Sequence, residues 1–465
     1  MATRALQPPP LTPVFRTGLP VAASCGLAAG FVGILLARDF QVGVAVLLGA
    51  VYVPIALLNL PLAIVLWTPL LFIDRLPQLS FAPNLVGLTL LAAWLAALPA
   101  QRAYVRELIR ENRAVFALML LSLAWMSLSA IWASDAQAVV GDIRKWAVAA
   151  VILLVVATTV GRRHLPLLIA AYVVGGALSV VGVLIPGSGA TLAEVNSDGG
   201  RLGLGVIDPN YLAAGIVPAM ALAVGLIRWT RASSVRWLLA GLLLVLTIGL
   251  LATGSRGGLI AAAVAIVFTL ILSRGRRLRL GVAAAMMIGL GGAWVASSSP
   301  ETLERLREFE TGSGREDLWQ IAWNMSEDHP VNGVGLNNFR EESGDYFRRP
   351  GRLGSSELIL DNPHVVHNTY LQSLAETGVV GLALFGGFLA ACLGATWRAG
   401  RLLERSGDQR LATLTSAVLT AQIAVLAASV FLSNGRDDRL WLLLAMGPTL
   451  LVVARRTWSE EVSTR

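Results

Sequence analysis

The chain has 465 residues, of which 55% are hydrophobic and 14% are charged, and its mean hydropathy is +0.67. Soluble domains carry about 25% charged residues, so this composition excludes an ordinary soluble protein. Apolar runs of about 17 to 25 residues recur along the chain, and each is long enough to cross a bilayer as a helix. We therefore predict an all-α, polytopic membrane helix bundle.

The apolar runs predict roughly 12 to 14 transmembrane helices. The run over 60–73 is short and contains Pro61 and Pro69, so we expect a partial or broken span there. The predicted spans are 19–37, 40–58, 60–73, 84–100, 114–132, 143–160, 164–186, 211–227, 236–252, 257–273, 278–297, 378–397, 411–432 and 438–453.

Arginines mark every second connection between these spans. The clusters lie at 102–113, 162–163, 228–236, 274–279, 398–410 and 455–456. Because basic loops stay on the cytoplasmic side, we predict that these connections face the cytoplasm, together with both termini if the number of spans is even. The net charge of +8 then reflects topology, and we predict no nucleic-acid partner.

The same pattern predicts the domain organisation. We expect a disordered cytoplasmic tail over 1–18, an N-terminal transmembrane bundle over 19–297, a large extracytoplasmic loop over 298–373, C-terminal transmembrane helices over 374–453 and a cytoplasmic tail over 454–465. Within the loop, Leu318, Trp319, Ala322 and Met325 are predicted to share one helical face. A loop of this length in a compact protein is usually functional.

Three spans, 211–227, 257–273 and 378–397, are predicted to begin at the outer surface. A helix N-terminus attracts anions because its backbone N–H groups lack partners within the helix. Arg201 precedes the first start and Arg256 lies at the second. Since a guanidinium group matches two phosphate oxygens at once, we interpret these arginines as ligands for pyrophosphate.

Each of these residues also has a simpler interpretation. Arg256 could extend to the lipid headgroups, and Arg201 could be a solvated loop charge. For Asp208, before Pro209 and Asn210, we favour an ordinary helix cap. Glu376 could pair locally at the membrane surface.

Histidine is rare in the chain, with four residues. His364 and His367 are three residues apart, but no third ligand has convincing spacing, so we predict no metal site. His367 precedes the third helix start at the outer boundary. A neutral imidazole there can accept a proton from a sugar hydroxyl, which makes His367 the candidate catalytic residue.

These residues resemble the bacterial O-antigen ligases and O-antigen polymerases. The resemblance covers roughly residues 200–400 and depends on the order and spacing of several short motifs. They are His367-Asn368-Thr369-Tyr370-Leu371 with Glu376 and Gly378, Gly333-Val334-Gly335-Leu336-Asn337-Asn338-Phe339, Arg315 with Trp319, Ser255-Arg256-Gly257-Gly258, and Asp208-Pro209-Asn210.

The resemblance implies a GT-C-like enzyme of the bacterial inner membrane, with its active site facing the periplasm. It implies transfer of a glycan from undecaprenyl pyrophosphate to a hydroxyl of the lipid A core or a similar lipid or glycan acceptor, with inversion and without metal or cofactor. His367 is implied as general base, and Arg201 and Arg256 as pyrophosphate ligands. The supporting residues are Asn210, Asn368, Tyr370, Glu376, Arg315 and His364.

Two alternatives remain open at this point. The sequence separates a ligase poorly from a polymerase, because both use the same class of donor and differ in the acceptor. A transporter for lipid-linked glycans belongs to a different class, and its ionisable or broken-helix sites typically lie near the bilayer midplane. The predicted spans are nearly devoid of ionisable residues at that depth, so we favour a transferase, and a ligase over a polymerase.

Overall fold

The computed structural model describes residues 38–73, 82–184, 208–272, 315–347 and 365–464, and the single residues Gly289 and Gly292. These residues are mainly helical and include no strand, which confirms the predicted all-α class. Among them, eight helices are long and apolar enough to cross a membrane, and three shorter apolar helices occur. The predicted span 19–37 lies outside the described residues, as does 278–297 apart from the two single glycines.

The chain forms two units, Met1–Pro54 and Ile55–Arg465. Helix α1 (Phe40–Leu58) begins in the first unit and ends in the second. The other described helices belong to the second unit: α2 (Leu60–Trp67), α3 (Ala82–Ala97), α4 (Arg102–Glu111), α5 (Arg113–Leu128), α6 (Ala136–Thr159), α7 (Leu165–Leu184), α8 (Pro209–Trp229), α9 (Ser233–Ala252), α10 (Arg256–Leu272), α11 (Arg315–Asp328), α12 (Phe339–Phe347), α13 (Thr369–Arg405), α14 (Gln409–Ala428) and α15 (Asp438–Thr464).

The predicted break within 60–73 is confirmed. Helix α2 has eight residues and starts where the side chain of Asn59 accepts a hydrogen bond from the Leu62 backbone N–H. It then gives way to a 3₁₀ turn over Thr68–Phe72 that has Pro69 near its start. Proline lacks a backbone N–H and favours the first turn of a helix, so it marks this change of helix type.

Helix α13 begins at Thr369, nine residues before the predicted span over 378–397, and that span starts at a kink between two helical segments of α13. The Asn368 side chain caps the helix by accepting hydrogen bonds from the backbone N–H groups of Tyr370 and Leu371, both at 3.0 Å. Gly378 instead interrupts α13 with φ 67° and ψ −173°, a conformation that essentially only glycine adopts. Helix α15 continues past the predicted end at 453, to Thr464.

Several arginine-rich connections lie together at one end of the helices. Arg162 contacts Asp408 at 2.6 Å, and Arg455 contacts Glu111 at 2.7 Å. Exposed ion pairs of this kind contribute little stability, with a median of about 0–1 kcal/mol. These ion pairs show instead which elements lie side by side, because they join α4 to α15 and the α6–α7 turn to the start of α14. We call this the arginine-rich end. The starts of α8, α10 and α13 and the α14–α15 connection lie at the opposite end of the helices.

The described part of the long loop has a hydrophobic core of its own. As predicted, Leu318, Ala322 and Met325 of α11 are buried, and Trp319 packs against them. Val366 and Ala375, on either side of the α13 start, belong to the same cluster. Burial of these side chains therefore fixes α11 against the beginning of α13.

Candidate functional site

The connection between α14 and α15 holds the start of α13. We call residues 429–437 the α14–α15 loop. The Thr369 backbone N–H donates to the Ser429 carbonyl at 2.9 Å, and the Thr369 hydroxyl donates to the Leu432 carbonyl at 2.6 Å. In return, the Asn434 backbone N–H donates to the Thr369 hydroxyl at 2.9 Å. These bonds fix α13 to the loop at its first residue.

The start of α8 reaches the same loop. The Tyr211 hydroxyl donates to the Ser433 carbonyl at 2.6 Å. One carboxylate oxygen of Asp208 accepts from both the backbone and the side-chain N–H of Asn210, each at 2.7 Å. Asp208 is therefore the helix cap that the sequence favoured, and it orients Asn210.

The start of α10 joins this network through Ser255. The buried Ser255 hydroxyl donates to the Asn210 side-chain oxygen at 2.7 Å and accepts from the Gly258 backbone N–H at 3.1 Å. A Cβ atom on Gly257 would lie 2.8 Å from the Cβ of Phe431 in the α14–α15 loop, so glycine permits this approach. The starts of α8, α10 and α13 thus meet around one loop, with Thr369 rather than residue 378 as the third start.

Replacing Ser255 with alanine should lower stability measurably. The change removes the hydroxyl between Asn210 and Gly258 and leaves buried polar groups without that partner, which costs about 1–3 kcal/mol. Thermal unfolding in detergent measures the loss. Ser127→Ala is a suitable control, because the Ser127 hydroxyl only bonds the carbonyl one turn earlier in an exposed part of its helix. Equal melting temperatures for the two variants would contradict the role of Ser255.

His367 is held in an uncommon backbone conformation at this junction. Its φ is 54°, and of the described residues other than glycine only Asn337 shares a positive value. On one side the carbonyl of buried Val366 accepts a hydrogen bond from the Trp319 indole N–H at 3.0 Å; on the other, Asn368 caps α13. A residue kept in this region by its surroundings is often functional.

Of the two predicted pyrophosphate ligands, the structure describes one. Arg256 is the first residue of α10 and is exposed, next to the glycine that abuts Phe431. Arg201 and His364 lie outside the described residues. Arg315 is the first residue of α11 and is half-buried.

The other predicted residues make contacts within the protein. The Tyr370 hydroxyl donates to the Leu426 carbonyl at 2.8 Å. Glu376 is 4% exposed and accepts from the Gln372 amide at 2.9 Å and from the backbone of Asn337 and Phe339. These contacts support the local interpretation of Glu376 and show how α13 is fixed to the loop before α12.

Sequence reasoning missed the charged residues of the α14–α15 loop and their partners. Asp437 contacts the Arg439 guanidinium at 2.5 Å, and that guanidinium lies 5.6 Å from the centre of the Phe72 ring. Burial raises the pKa of Asp437, but the charge and hydrogen bonds of Arg439 outweigh it and hold the pKa below its ordinary value. The sequence signal was available: Arg436-Asp437-Asp438-Arg439 interrupts two apolar runs.

Two other features of the described residues bear on the location of the site. A cavity of about 220 Å³ lies between α8, α10 and α14, lined among others by Arg228, Glu404 and Gln409. It lies toward the arginine-rich end, at the far ends of α8 and α10 from Asn210 and Ser255, so it is separate from the junction. Within the described ranges, no three His, Cys, Asp or Glu side chains form a group that could hold a metal ion.

Comparison with known proteins gives one family match. Residues 239–386 match the family model described as O-Antigen ligase. The matched region contains Ser255, Arg256, His367 and Glu376, whereas Asn210 and the α14–α15 loop lie outside it. The chain matches no curated protein.

Proposed function

We propose that this chain, whose residues 239–386 match an O-antigen ligase family model, transfers a glycan from undecaprenyl pyrophosphate to an acceptor hydroxyl at the periplasmic face of the inner membrane. The family supports a membrane enzyme of the ligase or polymerase type. The single observation that carries the finer proposal is His367, which is held with positive φ where the starts of α8, α10 and α13 meet.

In the proposed reaction, His367 acts as general base. Its imidazole nitrogen accepts the proton of the acceptor hydroxyl while the hydroxyl oxygen forms a bond to the anomeric carbon. The bond between that carbon and the pyrophosphate oxygen breaks, and its electron pair leaves with the pyrophosphate. Attack opposite the leaving group inverts the anomeric centre.

The leaving group needs positive charge, because pyrophosphate gains negative charge as it departs. Arg256 and the N-terminus of α10 supply it at one point of the junction, and Arg201 is proposed to supply it at another. Donors that are already in position stabilise the developing charge without reorganisation during the reaction. This arrangement requires no nucleotide hydrolysis.

The described part of the long loop is proposed to bring the acceptor to His367. Helix α11 packs beside the α13 start through the shared core of Leu318, Val366 and Ala375, and Trp319 bonds the residue before His367. The described part of the predicted loop over 298–373 therefore lies next to the proposed base. Its length fits a substrate-binding element.

A reconstituted assay tests this proposal. Purified protein in nanodiscs receives an undecaprenyl-pyrophosphate-linked glycan and a lipid A core acceptor, with EDTA in excess. We expect release of undecaprenyl pyrophosphate, a matching gain in acceptor mass, and the same rate without EDTA, since pyrophosphate charge is met by arginine rather than metal. Products that grow on the donor lipid would instead establish a polymerase, and loss of turnover in EDTA would contradict metal-independent transfer.

A further inference from the structure

A cationic cluster that the proposed mechanism does not use lies on α6, beside the α14–α15 loop. Asp142 is 3% exposed, and one of its carboxylate oxygens contacts both the Arg436 guanidinium and, at 3.6 Å, the Lys145 ammonium group. The other oxygen accepts from the Trp146 indole N–H at 3.2 Å. Lys145 is the one lysine in the sequence.

The cluster presents its positive charge outward. The side chains of Lys145 and Arg436 are 55% and 40% exposed, whereas the carboxylate between them is buried. The Lys145 ammonium group lies 3.6 Å from the carboxylate, and more than half of its side chain is exposed. Lys145, at the outer edge of this arrangement, therefore retains the capacity to bind an anion, and the shared carboxylate keeps the two cations close together.

The cluster lies close to the start of α13. A Cβ atom on Gly435 would lie 2.8 Å from the Trp146 ring and 3.1 Å from the Thr369 side chain. The backbone of the α14–α15 loop thus passes directly between α6 and the start of α13. Thr369, at that start, is two residues from His367 in the chain. In the predicted topology Lys145 falls near the outer end of the span 143–160, at the depth expected for lipid phosphates.

We propose that Lys145, with Arg436, is a further phosphate-binding part of the donor site and contacts the phosphates of a polyprenyl pyrophosphate lipid. The proposal rests on the proposed function for the identity of the lipid. Lysine binds phosphate as a compact point charge, which suits a headgroup that approaches in more than one orientation. In this arrangement Arg256 and Lys145 reach the donor from two sides of the α14–α15 loop.

Binding of undecaprenyl pyrophosphate to the full chain tests the site without requiring turnover. The apparent Kd is measured in nanodiscs of zwitterionic phosphatidylcholine for wild type, Lys145→Gln and Lys145→Arg. Arg144→Gln is the matched control, because it removes one exposed positive charge from the adjacent position of α6. We expect Lys145→Gln to weaken binding about tenfold, as the loss of one charged hydrogen bond implies, with Lys145→Arg and Arg144→Gln near wild type.

Three results would overturn the proposal: unchanged binding in Lys145→Gln, equal weakening in Arg144→Gln, or equally strong competition by phosphatidylglycerol, which would indicate a general headgroup surface. The melting temperatures of all variants are compared first, to establish that each variant is folded. At position 436 the variant is Arg436→Lys rather than a neutral substitution, because lysine retains the positive charge beside Asp142. Tenfold weaker binding in a protein that transfers no glycan would leave this site standing while the proposed function fails.

Discussion

Replacing His367 with alanine is expected to lower kcat for glycan transfer about 10²–10⁴-fold, the usual contribution of a positioned general base. The donor Kd should stay near the wild-type value, because the residues proposed to bind pyrophosphate remain. The backbone around position 367 is held by Trp319, Asn368 and Thr369, so the variant should fold. The assay measures initial rates at saturating donor in nanodiscs.

His329→Ala is the matched control for this experiment. His329 follows α11 and is exposed, and its backbone is hydrogen-bonded to the backbones of Met325 and Gly333. Its loss should leave kcat unchanged. If His367→Ala keeps more than about a tenth of the wild-type rate in a folded protein, His367 acts as neither base nor essential orienting group.

Replacing Gly378 with alanine is expected to destabilise the protein by more than about 3 kcal/mol. A Cβ atom at this position would lie 2.1 Å from the Val331 carbonyl oxygen, and the φ of 67° is unfavourable for alanine regardless of space. The opposing atom belongs to the backbone and cannot turn aside. The Val379 N–H also donates to the Pro330 carbonyl at 2.8 Å, so movement would break this contact.

Gly386→Ala gives the opposite expectation within the same helix. Nothing lies within 4 Å of a Cβ atom at Gly386, and alanine is favoured over glycine in a helix interior by about 0.5–1 kcal/mol. Thermal unfolding of both variants in one detergent makes the comparison direct. A Gly378→Ala variant as stable as Gly386→Ala would show that the interruption of α13 is not required.

The all-α fold and most helices could be predicted from the sequence because the apolar runs are long. Caps were harder to place. Asn368 caps a short helical segment ahead of the apolar run, so the hydropathy pattern found only the longer segment that follows Gly378. The break after α2 was predictable, because two prolines in a short run leave few alternatives.

In the candidate site, single residues could be predicted from the sequence but their contacts could not. Motifs and topology indicated His367, Arg256 and Asn210, but hydropathy assigned the first four residues of the α14–α15 loop to a span over 411–432 and gave no role to the rest. The contacts of Ser433 and Asn434 with Tyr211 and Thr369 depend on residues far apart in the chain. A single sequence carries no periodicity that reports such pairs, and the same holds for the contact between Asp142 and Arg436.

The most direct test of the central claim is to locate the donor on the protein. An undecaprenyl pyrophosphate analogue with a photoreactive group beside the pyrophosphate is crosslinked in nanodiscs, and the labelled peptides are mapped by mass spectrometry. The account predicts labels around 208–211, 255–258, 367–370 and 431–437, which excess undecaprenyl pyrophosphate should remove. Labelling confined to the cavity at the arginine-rich end, around Arg228 and Gln409, would contradict it.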